Sequence, residues 1–132
     1  MTADLFWLTL TALLSATLWL PYIVGVNMAN VPMPADNRPT DPARMPAWVH
    51  RAWRAHLNLL EQFLPFAVVV LVSHVTGVSN GVTAVAAASF FALRLAHAIW
   101  MIGGFPVLPV RPMVFTAGWV AILVIGWQVL AA

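Results

Sequence analysis

The sequence predicts an all-α membrane protein, four transmembrane helices in an antiparallel bundle, and three observations carry that prediction. Hydrophobic residues make up 62% of the 132 positions and charged residues only 8%, whereas soluble domains carry about a quarter charged residues. Four apolar windows reach the length of about 20 residues that a helix needs to cross a bilayer. None of the four shows the two-residue alternation of a barrel strand. Residues 1–132 are therefore read as one four-helix domain with approximate spans 5–26, 47–78, 82–102 and 113–130.

The first window, Leu5 to Val26, contains no charged residue. It reads as a membrane span rather than a cleaved signal peptide: Asp4 stands where a basic n-region would be, and the apolar run is too long. The connection from Asn27 to His56 holds Pro32, Pro34, Pro39, Pro42 and Pro46. Its early part cannot be helical and is expected to fold back over the membrane surface. Proline is tolerated in a first turn, so the second helix is expected to start near Pro46 or Ala47. Its apolar window, Leu57 to Val78, carries Glu61 and His74. Thr76 to Gly81 is a short turn that makes helices two and three antiparallel neighbours. The third window, Val82 to Ile102, carries Arg94 and His97, and the fourth, Met113 to Leu130, carries no charge. Gly103 to Pro112, with three prolines, is a stiffer turn.

Arginine placement sets the expected orientation. Arg38, Arg44, Arg51 and Arg54 precede the second apolar window and Arg111 precedes the fourth, while the middle turn and both tails have none. The positive-inside rule then puts the first and third connections in the cytoplasm and both termini on the non-cytoplasmic side. Trp19, Trp48, Trp53 and Trp100 mark the cytoplasmic interface, and Trp7 and Trp127 the other. The pI of 10.6 does not indicate nucleic acid, because the arginines are sparse and flank apolar spans. The absence of cysteine excludes disulfides and thiolate metal sites.

The chemistry-bearing residues sit where a membrane helix should be apolar. At 100° per residue, Arg51, Arg54, Asn58 and Glu61 fall at about 0°, 300°, 340° and 280°, a stripe roughly 80° wide. Such a stripe must face other helices or a water-filled cavity. Arg94 lies near the middle of the third span, where an unpaired arginine costs about 2.5–3.5 kcal/mol on insertion scales. Glu61 lies roughly 6 Å and Arg94 roughly 12 Å along their helix axes from the same surface, so a Glu61–Arg94 ion pair is expected. Such a pair could equally serve only to fix helix register. His97 follows Arg94 by one turn on the same face. A metal or haem would need a second histidine at matched depth, and His56 points about 140° from Arg51 while His74 is near the opposite surface, so no metal site is assigned. His56 is expected to make a capping or interhelical hydrogen bond. Arg51, Arg54 and Arg111 are expected to converge with Asn58, Glu61 and Arg94 on one cavity. Guanidiniums beside an amide and one carboxylate suit a small polyanionic ligand bearing an amine. Nothing in the sequence resembles a Ser/His/Asp set, a phosphate loop or a carboxylate pair.

The run Arg54-Ala-His56-x-Asn58-x-x-Glu61, followed by Phe63-Leu-Pro65-Phe66, resembles the hallmark of the MAPEG family, the membrane-associated proteins of eicosanoid and glutathione metabolism, in a small bacterial-type form. Arg94-Leu-Ala-His97 and Pro109-Val-Arg111 extend the resemblance over most of the chain. It implies a homotrimer in the bacterial inner membrane, with glutathione bound as co-substrate between subunits near the cytoplasmic face. By the same resemblance, Asn58 and Glu61 would hold the backbone and amino group of glutathione, and Arg51, Arg54, Arg94 and His97 would order the site. Arg111 matches the arginine that stabilises the thiolate in the family, a role that fits the lowering of a thiol pKa by a nearby cation.

The chain also departs from the family pattern. Leu57 replaces a basic residue, Met101 and Phe115 stand where tyrosines are expected, and Asn27 and Asn30 replace an arginine at the end of the first span. Two functional readings stay open. One is a glutathione-dependent transferase or peroxidase acting on lipophilic electrophiles. The other is a non-catalytic module that binds lipid or a partner protein, as the family's lipoxygenase-activating member does. A proton-coupled transporter is disfavoured, because the spans are unbroken and no inverted repeat is present.

Overall fold

The computed structural model describes residues 1–36, 38, 40–107 and 109–132. Pro39 of the proline-rich connection and Leu108 of the third turn lie outside the described residues. Among the described residues the structure is all-helical, with five α-helices: α1 (Ala3–Thr17), α2 (Leu20–Met28), α3 (Ala47–Val75), α4 (Gly81–Gly103) and α5 (Val110–Leu130). The stretch Ala3–Met28, α3, α4 and α5 are each long and apolar enough to cross a membrane.

The first span is broken where the sequence suggested a continuous helix. Pro21 has no N–H for the carbonyl of Thr17, and its ring crowds that carbonyl. The chain accordingly leaves α1 at Leu18 and re-enters at Leu20. The Trp19 indole N–H donates to the Ala16 carbonyl at 2.7 Å, supplying a partner next to the break. The connection that follows folds back on its own helices. Val31 and Met45 are buried beside Val26 and Val49, with Tyr22 against them. Asp41 caps the short 3₁₀ turn Pro42–Arg44 by accepting from the Ala43 N–H at 2.9 Å.

Helix α3 begins at Ala47 after Pro46 and ends at Val75, three residues short of the expected boundary. The Gly77 N–H donates to His74 and the Val78 N–H to Ser73, the paired bonds of a Schellman stop. Helix α4 starts with a reciprocal capping box. Asn80 Oδ1 accepts from the Val82 and Thr83 N–H groups, and Thr83 Oγ1 accepts from the Asn80 N–H at 2.9 Å. Helix α5 starts at Val110, three residues earlier than expected, because Pro112 sits in its first turn, where the missing N–H costs nothing.

Packing is most extensive between α4 and α5. Phe66 and Val70 of α3 meet Phe90 of α4 and Ile122 and Ile125 of α5 in the largest core cluster, with the Phe66 and Phe90 rings stacked at 3.9 Å. A second cluster joins Leu18, Ala55, Leu59, Ala98 and Met101. At the end of the bundle that holds Asp4, a polar chain links three helices. The Thr83 hydroxyl donates to the buried Asp4 carboxylate at 2.9 Å, and the Asn80 amide donates to Gln128 Oε1 at 3.0 Å. The candidate site lies toward the opposite end, around the α4–α5 turn.

Candidate functional site

Helix α3 presents Arg51, Arg54, Asn58 and Glu61 along the edge of its buried face rather than at its centre. The buried residues Ala52, Ala55, Leu59, Gln62 and Phe66 define that centre. Asn58 is buried, Arg51 and Arg54 are half-buried, and Glu61 is exposed. The polar stripe is therefore a seam, one flank inside the bundle and the other on its outer surface.

Arg94 does not reach that outer flank. Only 2% of it is exposed, and its guanidinium turns toward α5, where Nη2 donates to the carbonyls of Val114 at 2.9 Å and Phe115 at 3.3 Å. The rings of Phe115 and Phe90 lie 5.1 Å and 5.8 Å from its Cζ, within cation–π range. The expected Glu61–Arg94 ion pair does not form. Matching their depths was insufficient, because Glu61 faces outward while Arg94 faces α5. Room for the guanidinium comes from Gly118: a Cβ there would lie 2.8 Å from Arg94 Nη2 and 3.0 Å from Nε. Gln62 joins the same contact, its Nε2 donating to the Phe115 carbonyl at 3.2 Å. Gln62 stands beside Arg51 at about 20° on the helical wheel, although it belongs to no motif in the sequence.

A cavity of about 410 Å³ opens between α3, α4 and the start of α5, lined by Asn58, His97, Arg111, Pro112, Phe115 and Thr116. Its polar groups are sparsely satisfied. Asn58 Nδ2 donates to the thioether sulfur of Met101 at 3.4 Å, a weak acceptor that leaves the rest of the amide available. His97 is 3% exposed, and its Nε2 has no hydrogen-bond partner. Nε and Nη1 of Arg94 and Oε1 of Gln62 are likewise buried without partners. Among the described residues lining the cavity there is an arginine but no carboxylate.

Arg111 also lines a second cleft of about 290 Å³ toward the α4–α5 turn, which it shares with Arg51, Trp100 and Phe105. Arg51 Nε donates to the Ile102 carbonyl at 3.3 Å at the end of α4. Its guanidinium lies against Gly104, where a Cβ would approach Cζ and Nη2 to 2.7 Å. Gly104 adopts a φ of 71°, which favours glycine independently of that contact. No sequence signal marks Gly104 or Gly118, since their use depends on which arginine lies opposite.

Of the residues singled out from sequence, the structure brings Asn58, His97 and Arg111 onto one cavity and Arg51 onto the adjoining cleft. Arg94 lies behind the Phe115 wall. Arg54 and Glu61 line neither space. His56 does not make the expected interhelical bond: its Nδ1 is buried without a partner, on the flank of the helix that also carries Phe63.

Comparison with curated proteins finds no match to the chain. The family model for the MAPEG family matches residues 5–131, nearly its whole length. A match of that extent, on a chain with four helices suited to crossing a bilayer, makes this an integral membrane protein that belongs to the MAPEG family.

Proposed function

We propose that the protein is a glutathione-dependent transferase or peroxidase of the inner membrane that acts on lipophilic electrophiles, with Arg111 as its catalytic residue. The observation that carries this reading is the cavity of Asn58, His97 and Arg111, which joins an arginine and an amide to a buried imidazole nitrogen without a partner. A peptide-like anion bearing a thiol suits those groups. Asn58 offers its amide to the peptide backbone, His97 Nε2 completes one hydrogen bond, and Arg111 stands at the cavity wall. A guanidinium beside a thiol favours the thiolate, the reactive nucleophile. In conjugation the sulfur forms a bond to the electrophilic carbon, the leaving group departs with the bonding electrons, and the thiol proton passes to water. Arg94, fixed through Val114 and Phe115, acts as a positioning residue for the cavity wall.

The seam on α3 supports assembly into trimers. An exposed carboxylate within a membrane span is costly against lipid, and Pro65 offers no N–H to the Glu61 carbonyl one turn earlier. A neighbouring subunit covering this flank would place Glu61 and Arg54 beside the cavity of the next copy, completing the glutathione contacts. Both termini then lie on the non-cytoplasmic side.

The test is conjugation of glutathione to a chlorodinitrobenzene-type electrophile by detergent-purified protein. Activity is expected, with Arg111→Ala reducing it by about 10²-fold or more. No binding of glutathione at millimolar concentration by calorimetry would overturn the reading. Met101 and Phe115, in place of two hydroxyl donors, favour the second reading, a lipid- or partner-binding module whose buried charges serve only assembly. On that reading Glu61→Gln disrupts trimers and glutathione leaves the melting temperature unchanged; a glutathione-dependent rise in melting temperature refutes it.

A further inference from the structure

We infer that the cleft between Arg51 and Arg111 is a second binding site, separate from the thiol cavity, that takes an amphipathic organic anion: an aromatic body carrying a carboxylate. That a thiol occupies the adjoining cavity rests on the proposed function.

The cleft combines cationic and apolar lining residues. Its cationic lining is Arg51 and Arg111, and no carboxylate lies among its described lining residues. Arg51 spends its Nε on the Ile102 carbonyl, which fixes the plane of the guanidinium and leaves its outer N–H groups for a ligand. Packing against Gly104 holds that plane from the other side. Its apolar lining includes Trp100 and Phe105, whose rings meet at 5.1 Å inclined at 51°, and Val107. The Trp100 indole N–H is buried and has no hydrogen-bond partner.

Two cations alone at a membrane surface would suit a phosphate headgroup. The remaining lining argues otherwise, since Trp100, Met101, Phe105, Pro106 and Val107 are aromatic or aliphatic rather than polar. A flat apolar ligand covers Trp100 and Phe105, and its carboxylate meets the guanidiniums in the bidentate geometry that arginine favours. An acceptor substituent on the ring would satisfy the indole N–H. A volume of about 290 Å³ is small for a long acyl chain and suits a molecule of one or two rings. Because Arg111 lines both spaces, a ligand in the cleft lies next to the thiol cavity without occupying it.

The experiment is calorimetric titration of the detergent-solubilised protein with 2-naphthoate in the absence of any thiol, followed by the same titration with glutathione present. Saturable binding is expected, weakened about tenfold by Arg51→Gln and less by Arg51→Lys, which keeps the charge but not the fork. Arg44→Gln, which removes an exposed cation outside the cleft, leaves it unchanged. Trp100→Phe weakens binding without abolishing it, and this variant keeps the reading falsifiable if Arg51→Gln fails to fold. Naphthoate and glutathione bind together. The inference is overturned if 2-naphthalenemethanol binds as well as naphthoate, if the two ligands exclude each other, or if a short-chain phosphatidylglycerol displaces naphthoate with higher affinity. If glutathione alone shows no binding, the thiol reading fails, while the naphthoate titration still reports on the cleft.

Discussion

Gly118→Ala probes the way Arg94 is seated. In an exposed helix interior this change is favourable by about 1 kcal/mol, because alanine is the better helix former. Here the new methyl would stand 2.8 Å from Arg94 Nη2, 3.0 Å from Nε and 3.1 Å from Cζ. The guanidinium cannot swing away freely, since it is 2% exposed and tied to the Val114 and Phe115 carbonyls. Overpacking of this kind costs about 1–3 kcal/mol. Losing one hydrogen bond from a charged donor adds about 1.5–3 kcal/mol. After the propensity gain, a net destabilisation of about 1.5–5 kcal/mol is expected. Gly126→Ala on the same helix is the internal control, because its Cβ would meet Val69 Cγ1 at an ordinary 3.8 Å. Reversible unfolding in mixed micelles, or thermal melts in one detergent, should separate the two variants widely. In an Arg94→Met background the Gly118→Ala penalty should largely vanish, giving a coupling energy of comparable size. Equal stability of Gly118→Ala and Gly126→Ala would refute the seating of Arg94 described above.

Gly104→Ala is expected to destabilise for two reasons, a φ of 71° and a methyl 2.7 Å from the Arg51 guanidinium, and to weaken anion binding in the adjoining cleft. Calorimetry against 2-naphthoate checks the second effect, and retained affinity would refute it. Thr83→Val removes the hydroxyl that donates to the Asp4 carboxylate and accepts from the Asn80 N–H. It should cost about 1–3 kcal/mol, whereas Thr83→Ser should cost much less; equal melting temperatures for the two variants would argue against the tie.

The spans were legible because bilayer thickness imposes one length and one composition on each of them. Asn58 and His97 stood out because polar residues are expensive in such segments, and Arg111 as the charged residue of the third connection; that the three line one cavity depends on the packing. Azimuth was not legible. Depth matching brought Glu61 and Arg94 to comparable levels, but nothing in either helix says which neighbour its side chain faces, and Arg94 turned to the carbonyls of α5. Gln62 was overlooked inside an apolar run although its wheel position was available. The break after Thr17 was overlooked because the run around Pro21 is otherwise uniformly apolar. Gly104 and Gly118 acquire meaning only once the opposing arginines are in place.

The bond from Thr83 to Asp4 joins residues 79 positions apart, and this has a bearing on how the chain is inserted. While only the first two spans are in the bilayer, the aspartate lacks the Thr83 hydroxyl that meets it in the folded bundle. Arrival of α4 supplies that hydroxyl, so this tie between the first helix and the third span can close only once both are in place.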